Sequence, residues 1–342
     1  MRAMRTRARL TGKPPAGLAI PAGPACAKAR RTLGQTTTAV KTQPGSTVGE
    51  NATMALRRPV VGWTPLPRGM DMGLLVVTPA APLSGLVASL WDCDLPRQAH
   101  AYDRILPSAA AQLVINLDED ETRVYDEHLR CTRNAGAAFD APASRSVLID
   151  TAEQVRVVGI VFHPGGAAPL FRERMDAIAE MHLDLDALAP TQGRRLREGL
   201  LAAPNAHARL RLLEQWASER MQAACAARHP AVTHALRLLD AAPGVQRIDS
   251  VAACCGLSPR RFGALFREQV GLSPKRYARL QRFHAALAAA RSDRRVDWAG
   301  IAADGGFHDQ AHLVHEFRAF SGMTPTAWLA RRSEWTRHVA LA

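Results

Sequence analysis

The sequence predicts an α+β protein, with a β-rich, sandwich or barrel-like amino-terminal domain followed by an all-α carboxyl-terminal domain of two helix-turn-helix units. Three observations predict it. Short runs rich in β-branched residues, separated by Pro, Gly and polar turns, fill residues 72–162. Apolar residues then recur at helical spacing from residue 192 onward. Between residues 248 and 328 one pattern is written twice, first as IDSVAACCGLSPRRFGALFREQVGLSPKRY and then as DWAGIAADGGFHDQAHLVHEFRAFSGMTPTAW.

A chain of 342 residues has room for two domains. Its apolar runs fall short of the roughly 18 residues that span a bilayer, so a cytoplasmic protein without a membrane partner is expected. The net charge of +13 is unevenly placed. Residues 1–54 hold nine Lys and Arg against one Glu, 55–230 hold nineteen against twenty-one acidic residues, and 231–342 hold sixteen against nine. A basic, helix-rich block beside a near-neutral one points to a polyanion partner for the former. Six cysteines (Cys26, Cys93, Cys131, Cys225, Cys254, Cys255) form no C-x-x-C pair and no zinc-spaced Cys/His set, so reduced thiols and no metal or cofactor are expected. Cys254-Cys255 is read as a buried apolar pair.

Residues 1–54, rich in Arg, Thr, Pro, Ala and Gly, are expected to be a disordered basic extension, with Met54 as a candidate true start. Strands are expected at 74–78, 112–117, 123–125, 146–149 and 155–162, within a β-rich sensor or dimerisation domain at 55–190. Residues 85–91 fit a strand or a helix. After His163-Pro-Gly-Gly166 a short helix is expected at 167–172, the glycines either turning the chain or offering N–H groups to an anion. Another short helix is expected at 184–188. A helical linker region at 191–230, broken at Pro204-Asn205, packs on the sheet or on a second copy. Arg104, Asn116 and His163 are the candidates to contact an effector, although with His100, His128 and His182 they share no fixed spacing. No catalytic signature is present and no catalytic residue is assigned.

The DNA-binding domain is placed at 231–332, with a tail at 333–342. Its first helix, 231–241, ends at Pro243-Gly244. In the first unit Asp249 or Ser250 caps the supporting helix, Gly256 supplies the turn, Leu257 plugs the core, and Ser258 caps a recognition helix opened by Pro259. Phe262, Leu265 and Phe266 repeat at helical spacing and face inward. Arg260, Arg261, Gly263, Ala264 and Arg267 are left outward. Arg260 near the helix start suits both acceptors of a guanine, and Ser258, Arg261 and Arg267 suit phosphate. A helix from about 274 to 291, roughly 27 Å long at 1.5 Å per residue, acts as a spacer whose Lys275, Arg276, Arg279 and Arg282 meet the backbone, Arg276 being the phosphate contact of choice. In the second unit Trp298, Ile301 and Ala302 face inward, Gly305-Gly306-Phe307 turns, and His308 or Asp309 caps the next helix. Leu313, Phe317 and Phe320 are buried, with His312 inside or at the edge. Gln310, Ala311, Val314, His315 and Arg318 face out, Gln310 suiting adenine and Arg318 phosphate.

The run GGFHDQAHLVHEFRAFSGMTP is similar to the signature of the AraC/XylS transcriptional regulators, and the likeness covers about 100 residues from 231 to 332. The resemblance implies a seven-helix reader of double-stranded promoter DNA. It places base contacts at Arg260, Gly263 and Ala264 in the first recognition helix and at Gln310, Ala311, Val314 and His315 in the second. Gly263 and Ala264 depart from the polar residues common there. RILPSAAAQLVINL and GIVFHPGGAAPLF more weakly resemble the β-rich domain of some of these regulators, which binds an effector or dimerises. The expected protein is therefore a one-component regulator and activator, with RNA polymerase, a small-molecule effector and a second copy as partners. The alternatives are a non-specific architectural DNA binder and, ranked lowest, an enzyme domain fused to a DNA reader, which would need a reactive metal-bound Cys cluster.

Two substitutions test the outward faces. Arg260→Ala is expected to cost about 1–3 kcal/mol on the specific site and to relax one base position. Gln310→Ala is expected to relax a different one. Selection of bound sequences from random duplex reads both, and unchanged base preferences would refute the two roles.

Overall fold

The computed structural model describes residues 73–171, 173–224, 227–292, 296–333 and 335–341. The expected extension 1–54 lies outside them.

Eleven strands form two antiparallel sheets among the described residues. The first joins β1 (Gly73–Val77), β2 (Val87–Asp94), β9 (Arg156–Phe162), β4 (Gln112–Asn116), β7 (Ala137–Asp140) and β10 (His182–Asp184), in that order. The second joins β11 (His338–Leu341), β3 (Tyr102–Ile105), β8 (Val147–Asp150), β5 (Glu121–Tyr125) and β6 (Cys131–Ala135). Strand alternation divides the first sheet cleanly. Leu90, Leu113, Phe139, Val158, Ile160 and Phe162 are buried on one face. Trp91, Cys93, Val157 and Val161 lie on the other, toward the second sheet. Gly159 is required there: a Cβ would stand 2.6 Å from the Trp91 ring and 2.2 Å from the Leu113 carbonyl oxygen.

The ambiguous stretch 85–91 resolves into a short 3-10 turn, Leu83–Gly85, and then β2. The helix expected at 167–172 does not form, and the described part of that stretch is turns. The Leu170 N–H closes a tight turn onto the Ala167 carbonyl instead. Nor is the glycine pair an anion cradle. The Gly166 N–H is spent on the His163 carbonyl, and a Cβ there would meet the Leu86 carbonyl oxygen at 2.0 Å. Beyond two short helices, α1 (Met175–Ile178) and α2 (Leu185–Leu188), helices α3 (Gln192–Ala202) and α4 (Ala206–Ala224) cover the first sheet. They bury Leu196, Leu200, Leu210, Leu213 and Trp216 in its core, so this helical region packs on the sheet, the first of the two arrangements expected for it.

The seven helices that follow are α5 (Pro230–Ala241), α6 (Ile248–Cys254), α7 (Pro259–Val270), α8 (Pro274–Ser292), α9 (Trp298–Asp304), α10 (Gln310–Ser321) and α11 (Pro325–Arg331). Helix α8 runs through their shared core. Tyr277 meets Phe266 at 5.5 Å between ring centroids, and Phe283 meets Phe317 at 5.1 Å and Phe320 at 5.2 Å. One spine thus holds both units. Cys254 is exposed and Cys255 half-buried, against the expectation of a buried pair, because α6 turns only Val251 and Ala252 inward. The described cysteines are free.

Within the stretch expected to be a tail, 333–342, β11 (His338–Leu341) is a strand. β11 pairs with β3, four residues in register from His338 opposite Ile105 to Leu341 opposite Tyr102. HVAL alternates in the ordinary way, but its two faces belong to different places. His338 and Ala340 line the space between the sheets, while Val339 is fully buried in the helical core, with Leu106 and Ala109 of the β domain. Arg276 Nε donates to Ser144 Oγ at 2.5 Å across the same boundary.

His284 also joins the two parts. Its Nε2 stands 3.0 Å from the Pro107 carbonyl oxygen, an acceptor only, so the ring donates. Burial, with the Arg337 charge behind it, pushes His284 down from 6.5 to about 4. A base depressed in the fold stabilises it fully above pH 6.5 and loses that contribution as the pH falls toward 4, where the cost reaches about 3 kcal/mol. His284→Gln, which keeps an N–H donor but cannot titrate, is expected to show a shallower fall in melting temperature between pH 6.5 and 4. An unchanged slope would contradict the assignment.

Candidate nucleic-acid interface

The two recognition helices, α7 and α10, are started and stopped by local chemistry. Gly256 and Gly306 take the left-handed backbone (φ +67° and +69°) that each turn needs. Ser258 Oγ then accepts the Arg261 N–H at 3.3 Å, and Asp309 accepts the His312 N–H at 2.7 Å, so Asp309 and not His308 is the second cap. Gly271 and Gly322, at φ +84° and +71°, close the two helices in the left-handed conformation. The supporting helices differ. Asp297 caps α9 through the N–H groups of Ala299 and Gly300, whereas α6 starts after Arg247 without a side-chain cap. Neither Asp249 nor Ser250 is its cap, because both already lie inside the helix.

The inward and outward faces fall where the spacing puts them. Phe262, Leu265, Phe266, Leu313, Phe317 and Phe320 are buried. Arg260, Arg261, Arg267, Gln310, Ala311, His315 and Arg318 are exposed, and Gly263, Ala264 and Val314 are half-buried. His312 sits at the edge, its Nδ1 accepting the His308 N–H at 3.1 Å. Packing does not demand glycine at 263: a Cβ there would find only the Arg267 Nη1, at 3.7 Å. Ser258 is exposed and retains its hydroxyl proton for a further acceptor. Arg260, Arg261, Arg267 and Arg318 make no ion pair among the described residues, which leaves four guanidinium groups facing solvent.

The spacer helix behaves otherwise. Arg276 is tied to Ser144, Arg279 forks onto both Glu316 oxygens at 2.8 and 2.6 Å, and Arg282 donates to the Gly306 carbonyl and lies 3.7 Å from Glu316. These contacts hold α10 and the β domain and leave the three side chains half-buried rather than exposed as expected, with N–H groups beyond those the contacts use. Only Lys275 of that set is exposed. Burial would raise the Glu316 carboxyl, but the Arg279 fork and the Arg282 charge outweigh it and hold the carboxyl below its usual value.

A second feature lies between the sheets, a cavity of about 500 Å³. Arg104, Asn116 and His163 do not line it. Arg104 Nη1 donates to Ser146 Oγ at 2.9 Å. Asn116 is buried and holds a turn, its Oδ1 accepting the Asp118 and Glu119 N–H groups at 2.9 Å. Burial keeps the His163 ring neutral-leaning, below its usual value, with Arg228 adding to the effect. The polar lining comes instead from residues such as Arg123, Asp140, Glu153, His182, Arg337 and His338, scattered over strands far apart in sequence. Glu119, Glu121 and Glu153 are close enough together to hold a cation, but Arg123 already stands among them, 2.9 Å from Glu119 and 3.1 Å from Glu121.

Residues 251–331 match the family model of a helix-turn-helix domain, and residues 75–184 match that of a domain of unknown function, DUF6597. No curated protein matches the chain. Among solved structures, it is similar to a transcriptional regulator of the AraC-type DNA-binding-domain proteins from Chromobacterium violaceum, at 25% identity over 30% of this chain and 93% of that one, with a TM-score of 0.29. It is also similar to the DNA-binding domain of AdpA in complex with a target DNA, at 24% identity over 30% and 90%, TM-score 0.28. ToxT from Vibrio cholerae aligns over 75% of this chain and 98% of its own, at 9% identity and a TM-score of 0.41.

Removing the Glu316 carboxylate leaves the Arg279 guanidinium without its acceptor and Arg282 without its nearby counter-charge. Breaking a fully buried pair costs roughly 3–5 kcal/mol. Arg279 is 34% exposed, so water recovers part of that, and Glu316→Ala is expected to destabilise by about 2 kcal/mol. Urea unfolding measures it, and a loss below about 0.5 kcal/mol, the worth of a surface pair, would contradict the bracing role.

Proposed function

We propose, for a chain that carries an AraC-type helix-turn-helix domain and is a sequence-specific DNA-binding transcription regulator, a one-component mode of action. In this reading the reader binds double-stranded promoter DNA through both units, and the β domain receives a small-molecule effector in the cavity between its sheets. The observation that carries it is the pairing of two capped recognition helices, each with a solvent-facing polar edge, on one buried spine. Arg260, Gly263 and Ala264 on α7, and Gln310, Ala311, Val314 and His315 on α10, are proposed to contact bases. Ser258, Arg261, Arg267 and Arg318 are proposed to contact phosphate.

The shared strand supports a link between effector and reader. β11 begins at His338, beyond the Arg331 end of α11, lines the cavity with His338 and Ala340, and seats Val339 in the reader's core. A change in the cavity would act on the reader through that strand. The sensor unit is proposed to run from 55 through α4, with the reader at 231–332. A cytoplasmic location, activation through RNA polymerase, and a homodimer complete the proposal. An enzymatic role for the β domain finds no reactive thiol in the cavity. Burial pushes the Cys93 thiol up to about 12, with the Asp92 and Asp94 charges adding to it, so it stays protonated.

Competition binding separates this reading from a non-specific architectural binder. The chain is expected to prefer its own upstream DNA over random duplex by about 10³ or more. Equal affinity would overturn it.

A further inference from the structure

We propose that the cavity between the two sheets is a site for a small organic anion with an apolar body, whose acidic group is held by Arg337. The proposal rests on reading the cavity as a ligand site. It adds the chemistry of the ligand and the residue that selects it.

The charges that line the cavity are paired, with one exception. Asp103 lies between His100 at 2.8 Å and His338 at 3.1 Å. Asp140 contacts His182 Nδ1. Glu153 contacts Arg123, which is shared with Glu119, Glu121 and, at 3.6 Å, Asp150. Each lining carboxylate therefore has a basic partner. Arg337 has no carboxylate within ion-pair reach among the described residues; the nearest charge it feels is that of Asp140, already engaged by His182. Its Nε and Nη2 both go to one neutral acceptor, the Leu106 carbonyl oxygen, at 3.1 and 3.0 Å. Nη1 has no hydrogen-bond partner among the described residues. Burial pushes the guanidinium down to about 10, which still leaves it charged at neutral pH.

A half-buried cation without a counter-ion is unfavourable, and an anion beside it restores the balance. A second donor among the lining residues also lacks an acceptor, the buried Trp91 Nε1. Leu74, Val114, Ile149 and Val157 give the cavity an apolar part, and about 500 Å³ suits a ligand of the size that such sites usually enclose. A wholly polar anion would leave those side chains unmatched. A neutral apolar molecule would leave Arg337 unmatched.

Arg337 is also placed to report occupancy. It immediately precedes β11, one residue from His338 in the cavity and two from Val339 in the reader's core. An anion drawing on Arg337 competes with the Leu106 carbonyl, the bond that fixes where this strand enters the sheet.

The test uses the full chain and isothermal titration with decanoate, 2-naphthoate and 4-phenylbutyrate, each beside its primary amide. At least one acid is expected to bind tenfold or more tightly than its amide. Arg337→Gln, which keeps a donor for Leu106, is expected to bring acid and amide within twofold of each other, and Arg337→Lys to preserve the preference. Thermal unfolding of both variants confirms that they fold. Should Arg337→Gln unfold, equal binding of acid and amide to the wild-type chain, or to Arg337→Lys, still overturns the proposal. Equal binding in the wild type would leave the cavity as a ligand site and refute the anion. Binding of none of the six probes would overturn both.

Discussion

The Glu316 carboxylate, buried on α10 and gripped by Arg279 and Arg282 of α8, fixes the second recognition helix to the spine that also carries the first. The aromatic stack beside it, Phe283 with Phe317 and Phe320, supplies burial but little direction. The forked ion pair supplies direction, because two hydrogen bonds to one carboxylate define an orientation as well as a contact. Arg282 extends the brace to the Gly306 carbonyl, at the turn that precedes α10. The angle and position of the second reading face thus descend from one carboxylate and the nineteen-residue helix opposite it.

The boundary between the two parts is built on similar terms. Buried polar contacts such as His284 with Pro107 and Arg276 with Ser144 set the register, and Leu106, Ala109 and Val339 supply the apolar contact. β11 is the point where the parts cannot be separated, since removing its residues would open the second sheet at β3 and the helical core at Val339 together. A cavity bounded by such a strand is not mechanically private to the β domain.

What could be read from the amino acids was whatever local chemistry decides. The turn glycines 256 and 306, the Ser258 cap and the Phe262–Phe266 spacing act within a few residues, and all stand where the sequence placed them. β1, β4, β8 and β9 were visible through β-branched runs, whereas CTRNA in β6 is a largely exposed strand with nothing to mark it. β11 is four residues long, and its partner lies more than two hundred residues earlier, so no periodicity reveals it. The spacer arginines illustrate a different failure. An outward face predicts exposure only until another element arrives, and Glu316 is 37 residues away from Arg279. The cavity was illegible for the same reason. Its lining is drawn one or two residues at a time from many parts of the chain, whereas Arg104, Asn116 and His163 were noticed for their residue types, Arg104 bonding Ser146 and Asn116 holding a turn.

The central claim is that one rigid spine presents two reading helices to DNA at once. Hydroxyl-radical footprinting of the full chain on a selected site tests it most directly. Two protected tracts on one face of the duplex, about one helical turn or roughly 34 Å apart, are predicted from the spacing of successive major grooves. A single protected tract, unchanged when Gln310 and His315 are both replaced by Ala, would contradict it.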